Sequence, residues 1–131
     1  MKLVECVPNF SDGRRPEVLD AICAAISSVA GVNVIDREAD ADLNRSVVTF
    51  VGPIDAAGEA AFRGIAKAAE LIDLRTHQGA HPRMGATDVC PFVPLGDTTT
   101  EDCVAAAKAL GARVGRELAI PVFLYADAAA R

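Results

Sequence analysis

The feature that most limits what this chain can fold into is the way its apolar residues change period along the sequence. Short extended-looking runs alternate with stretches in which apolar residues recur every three or four positions. Lys2 to Phe10 reads as a strand, closed by Pro8 and the turn-rich Ser11-Asp12-Gly13. Pro16 suits the first turn of a helix that places Leu19, Ile22, Cys23, Ile26 and Val29 on one face, and Gly31 ends it. Val32 to Ile35 reads as a second strand, D-R-E-A-D-A-D as an acidic turn, and Ser46 to Val51 as a third strand. Gly52-Pro53 opens a second helix with Phe62, Ile65, Ala69 and Ile72 on a shared face. A loop holding both histidines follows, then a short strand from Asp88 to Pro94. Thr98 with Glu101 forms a capping box for a third helix carrying Val104, Ala107, Leu110, Val114 and Leu118. Pro121 to Tyr125 reads as a last strand, with an unanchored tail.

The order β-α-β-β-α-β, followed by α-β, predicts an α+β chain: a ferredoxin-like βαββαβ sandwich with an additional αβ unit at the C-terminus. Its 131 residues suit one domain, residues 1–131. In that topology the third strand inserts antiparallel between the first two, which are parallel to each other. Three polar segments then share one edge of the sheet: V-P-N-F-S-D-G-R, E-A-D-A-D-L-N-R and H-Q-G-A-H-P-R-M-G-A.

Composition narrows the function. The net charge of −5 opposes a phosphate backbone, and an aromatic content of 5% without tryptophan leaves little stacking surface, so no nucleic-acid partner is expected. No apolar run approaches a membrane span, and Glu5, Pro8 and Asp12 interrupt any signal-peptide core, so no membrane partner is expected. The four cysteines have apolar neighbours and form no C-x-x-C pair, which reads as buried free thiols in a reducing, cytoplasmic setting. No nucleotide or serine-hydrolase motif is present.

The chemistry concentrates in T-H-Q-G-A-H-P-R-M-G-A-T-D-V-C-P-F. Histidine both takes and gives a proton near neutrality, and His81 fits either a proton-transfer role or a loop histidine satisfied by a carbonyl. The i, i+4 pair His77 and His81 resembles metal spacing, but Gly79 and Pro82 break the helix such a pair needs, so no metal is expected. His77 also suits a helix C-terminus. Arg83 is either a carboxylate clamp or a surface cation, and Gly85 lets a ligand approach the main chain. Asp88 either orients an imidazole or caps a turn. Glu38, Asp40 and Asp42 form an acidic cluster, readable as a solvated hairpin turn or as a holder for a cationic group. Asn9 offers donor and acceptor at the end of the first strand. Asn44 and Arg45 begin the third strand, where Asn44 also suits a turn.

L-V-E-C-V-P-N-F-S-D-G-R, N-R-S-V-V-T-F-V-G and H-P-R-M-G-A-T-D-V-C-P-F-V-P resemble the N-terminal half of the formiminotransferase domain. That family is glutamate formimidoyltransferase, free-standing or fused to a cyclodeaminase. The resemblance runs from Leu3 to about Ala128. It implies two ferredoxin-like subdomains, of which this chain would be the first, with the C-terminal subdomain absent. It implies His81 as catalytic residue and an acidic residue near Glu38; together with the residue readings above, Asn9, Glu38, Asp40, Asn44, Arg45, Arg83 and Gly85 are the substrate-binding candidates. The implied reaction moves a formimino group from N-formimino-L-glutamate to N5 of tetrahydrofolate, the co-substrate, in histidine degradation. The alternative is a non-enzymatic short relative that binds a folate-like ligand or a partner. The chain stops near the end of the family's first subdomain, either as part of a longer chain or as a short relative. A separate C-terminal half or a homo-oligomer is then the expected partner for an uncovered apolar face.

Overall fold

The computed structural model describes residues 2–72 and 87–118. The expected first strand is two: β1, Leu3–Cys6, and β2, Asn9–Phe10, separated at Val7 and Pro8. Proline has no N–H for a ladder, yet the interruption stays paired. The Val7 N–H donates to the Pro91 carbonyl at 3.3 Å, and the Val48 N–H donates to the Pro8 carbonyl at 3.1 Å. Helix α1, Pro16–Ser27, starts on its proline and buries Val18, Leu19, Ile22, Cys23 and Ile26. Val29 lies just past the helix and packs part-buried against the same core.

Strand β3, Asn33–Asp40, is longer than its apolar start suggested. The stretch D-R-E-A-D, expected as a turn, is strand, and the turn is confined to residues 41–44. The cause is pairing. From Asp36↔Thr49 to Asp40↔Arg45, β3 stays in register with β4, Arg45–Pro53, and main-chain bonding needs no apolar side chains. Helix α2, Ile54–Leu71, follows directly. Phe62, Ile65 and Ile72 are buried as expected, but Ala68 completes that face and Ala69 is exposed.

The fourth strand is likewise split, into β5, Thr87–Val89, and β6, Phe92–Leu95, about Cys90 and Pro91. Helix α3, Thr100–Leu118, buries Cys103, Leu110 and Val114, while Val104 and Ala107 are only half-buried. Its capping box sits one residue later than expected. The Asp102 N–H donates to Thr99 Oγ1, and the Thr99 N–H donates to Asp102 Oδ2, each at 3.0 Å. Thr98 instead gives its hydroxyl to the Leu3 carbonyl at 2.5 Å, tying the helix start to β1. The expected strand over Pro121 to Tyr125 lies outside the described residues.

β4 is central. It runs antiparallel to β3 on one side and to β1 and β2 on the other; β1 then pairs with β6, and β2 with β5, again antiparallel. The third segment thus inserts between two mutually parallel ones, as the element order implied. The result is an α+β unit with an open antiparallel sheet and, among the described residues, three helices.

One sheet face, bearing Val4, Cys6, Phe10, Val48 and Phe50, packs into a single core with the helices. All five are at most 1% exposed, and burial of side chains this size contributes roughly 1.5–3 kcal/mol each. The four cysteines are free thiols; burial raises the pKa of Cys6, and desolvation pushes that of the half-buried Cys90 up to about 12, which favours thiol over thiolate. Among the described residues, no helix is long and apolar enough to cross a membrane.

Candidate functional site

Side chains alternate along a strand, so Asp36, Glu38 and Asp40 share one face of β3 while Arg37 and Ala39 take the other. Cross-strand partners share a face as well. Glu38 pairs with Val47, and Val47 with Asn9, which makes one row across β3, β4 and β2. This row lies on the face opposite Phe10, Val48 and Phe50. Adjacent strands are ~4.8 Å apart, so Glu38 and Asn9 stand ~10 Å apart with Val47 between them. A small polar group resting on Val47 could touch both.

The individual side chains add detail. Asn9 Nδ2 donates to the Val7 carbonyl at 3.1 Å, which fixes the plane of its amide. Asp40 Oδ1 accepts from the Leu43 N–H at 3.1 Å, closing an Asx turn at the start of the hairpin loop. Asp40 and Arg45 are register partners at the hairpin mouth, and both are exposed. Arg37, on the other face, is ion-paired to Asp20 of α1, so it does not neutralise the carboxylate row.

Sequence reasoning missed the group that holds this hairpin. Asn44 sits at φ 51°, a left-handed conformation that asparagine tolerates better than most residues. Its Oδ1 accepts from the Gly13 N–H at 3.0 Å, and Arg14 Nε donates to the Ala41 carbonyl at 2.7 Å. Gly13 crosses the hairpin mouth so closely that a Cβ there would lie 2.3 Å from the Arg45 carbonyl oxygen and 2.4 Å from that of Asp40. Asp12, only 3% exposed, organises the turn. Its Oδ1 accepts from the N–H groups of Arg14 and Arg15, both at 3.1 Å, and its Oδ2 from Arg15 Nε at 2.6 Å. Arg15 Nη2 also donates to the Leu71 carbonyl at 3.3 Å, at the end of α2. The signal available in the sequence was Asp12 two and three residues before Arg14 and Arg15, an Asx-turn spacing.

One row along, on the helix-facing side, Ser46, Phe10 and Thr87 line up. Among the described residues, the hydroxyls of Ser46 and Thr87 are buried there without a hydrogen-bond partner. His81, Arg83 and Gly85, together with His77, lie outside the described residues. The structure therefore brings together Asn9, Glu38, Asp40, Asn44 and Arg45. The chain returns at Thr87, six residues after His81, paired with Phe10 beside Asn9. Among the described residues no group of three or more His, Cys, Asp or Glu is placed to hold a metal.

Three carboxylates in alternate positions, beside an amide and an arginine on the sheet face opposite the described core, suit a small ligand with a cationic group. Comparison with known proteins gives that arrangement a context. The formiminotransferase domain, N-terminal subdomain, matches residues 3–131. The chain is similar to glutamate formimidoyltransferase of Thermoplasma acidophilum, 57% identical over 131 residues, covering 100% of this chain and 43% of the relative. Against the glutamate formimidoyltransferase of Streptococcus pyogenes serotype M1 it is 52% identical over 130 residues, 99% of this chain and 44% of the relative. It is also 50% identical over 128 residues to the formimidoyltransferase-cyclodeaminase of Rattus norvegicus, covering 98% of this chain and 24% of that protein. The chain thus spans less than half the length of these curated relatives.

Proposed function

The chain belongs to the formiminotransferase family, and we propose that it is the N-terminal half of a catalytic unit that transfers a formimino group from N-formimino-L-glutamate to N5 of tetrahydrofolate. The observation that carries this reading is the row of Glu38, Val47 and Asn9 on the sheet face opposite the described core, next to the point where the histidine-bearing segment rejoins the sheet. The formimino group is an amidine, cationic and planar, and a carboxylate at Glu38 or Asp40 holds and polarises it. Asn9, Arg45, Arg83 and Gly85 are the further substrate-binding residues of the proposal, with the arginines taking the substrate's carboxylates.

In the proposed step, N5 attacks the amidine carbon and gives a tetrahedral intermediate. The bond from that carbon to the glutamate nitrogen then breaks. His81 takes the proton from N5 and returns it to the departing nitrogen, so one imidazole serves as base and then as acid. No metal takes part in this scheme. The strand order and the helices on one face support a ferredoxin-like βαββαβ reading for the unit, with an αβ addition at its end. The free thiols support a reducing, cytoplasmic setting. The sheet face that the described helices leave open supports a partner, either a C-terminal half of the domain or a second copy of the chain.

The test is formimino transfer measured with the chain alone and with a formiminotransferase C-terminal half added. Transfer is expected with both halves, and His81→Ala is expected to lower kcat by on the order of 10²–10⁴-fold, the usual yield of general acid–base catalysis. Unchanged turnover in His81→Ala refutes the assigned role.

A further inference from the structure

We infer that the Asp12–Arg15 turn is a positioning device for the transfer reaction, acting through Gly13, Asn44 and Arg15 rather than by touching substrate. This rests on the function proposed above. The turn grips the hairpin of the candidate site and the end of α2. On one side Gly13 and Arg14 bind the hairpin loop at Asn44 Oδ1 and the Ala41 carbonyl, which fixes the strand end carrying Glu38 and Asp40. On the other side Arg15 binds the carbonyl of Leu71, the last residue of α2 and ten residues before His81. Asp12 joins the two by accepting from Arg14 and Arg15 together. The hairpin and the helix end are thus referred to one buried carboxylate.

Packing alone does not account for these bonds. The hairpin loop adds nothing to the core: residues 41–43 are exposed, and Leu43 is 68% exposed. Asp40 already closes the loop from within. An external grip on a self-closed, solvated loop fixes where the hairpin points, and little else. The direction matters to chemistry because a misplacement of about 1 Å between reacting groups can cost on the order of a hundredfold in rate.

The position of Asn44 permits a clean test. Asn44→Gly accepts φ 51° without strain and removes the side chain with its acceptor, while Asn44→Asp keeps an acceptor at the same place. Transfer kinetics are measured on the chain completed by a C-terminal half, alongside thermal unfolding and amide hydrogen exchange of each variant. Asn44→Gly is expected to lower kcat about tenfold to a hundredfold while KM for the formimino donor changes by less than about threefold, the pattern of a contact geometry needed in the transition state. Its melting temperature should shift by no more than ~5 °C. The Gly13 amide should lose at least about tenfold in exchange protection while α3 amides keep theirs. Asn44→Asp should recover most of the lost kcat.

Unchanged kcat in Asn44→Gly, with wild type active, overturns the positioning role and leaves the proposed function standing. So does a loss that Asn44→Asp fails to restore. No transfer by the wild-type pair overturns the proposed function, and the positioning role with it, while the exchange data still report whether the grip exists.

Discussion

Gly13→Ala is the single substitution whose cost follows most directly from the structure. The added methyl would lie 2.3 Å from the Arg45 carbonyl oxygen, 2.4 Å from the Asp40 carbonyl oxygen and 2.6 Å from the Arg45 nitrogen. All three are backbone atoms of paired strands, so no flexible side chain can swing aside. Either the S-D-G-R turn or the hairpin mouth has to move. Overpacking of this kind costs typically about 1–3 kcal/mol, and rigid partners put this site at the upper end. The move also breaks the Gly13–Asn44 hydrogen bond, worth about 1 kcal/mol. Alanine stiffens the unfolded chain and returns roughly 0.5 kcal/mol.

The net is about 3 kcal/mol of destabilisation. With an unfolding entropy near 0.28 kcal/mol/K for a chain this long, the melting temperature should fall by about 11 °C. The assay is thermal and urea unfolding followed by circular dichroism. The urea m-value should stay constant, because the surface exposed on unfolding is unchanged. A melting temperature within about 2 °C of the parent refutes the reasoning, since it means the turn and the hairpin part without cost.

Other outcomes follow from the same structure. Gly58, inside α2, has nothing among the described residues within 4 Å of its would-be Cβ, so Gly58→Ala should stabilise by about 1 kcal/mol through helix propensity, read as a higher melting temperature. Bonds from the Thr99 N–H and Lys2 hold the Asp102 carboxyl below its ordinary pKa. A folded-state pKa that is lowered contributes stability above the unfolded value, near 4, and loses it as pH falls through the folded value. Asp102→Asn should therefore be less stable than the parent at about pH 7 and approach it at about pH 2.5, in paired unfolding curves; an undiminished gap at low pH argues against the charged cap.

Much of the fold was legible because main-chain pairing and apolar period agree there. The run of Val4, Cys6 and Phe10, the α1 face and the core of β4 all announce themselves through side chains that must leave water. Errors arose where another force decided. D-R-E-A-D reads as a turn because it is polar, but a strand with mostly exposed side chains gains its stability from pairing with β4 and needs no apolar residues. Its period-two placement of Asp36, Glu38 and Asp40 was present in the sequence, written in carboxylates instead of valines. The triple threonine Thr98-Thr99-Thr100 gives three possible capping registers, and the choice falls on Thr99 because the Leu3 carbonyl captures Thr98. Ala68 and Ala69 differ by one step on a helix rich in alanine, where hydrophobic contrast is weakest.

The candidate site divides along the same line. Asn9, Glu38, Asp40 and Arg45 could be named from residue type and topology, because a strand order fixes which loops share an edge. Asp12 carried only a local Asx-turn spacing, and the contacts of Gly13 and Arg15 depend on close approach between segments far apart in sequence. Gly13 looks like any glycine in a turn until Arg45 and Asp40 are seen at its back. Asp12 looks like a surface carboxylate until its burial and its bonds to Arg14 and Arg15 are counted. A buried carboxylate without partners is costly, so one that binds two main-chain N–H groups and a guanidinium is retained by the geometry it holds. That geometry faces the hairpin and the end of α2, and the core would be complete without it. Candidate ligand-facing residues can therefore be proposed from a sequence, while the contacts that fix the strands carrying them emerge only from the packing of one backbone against another.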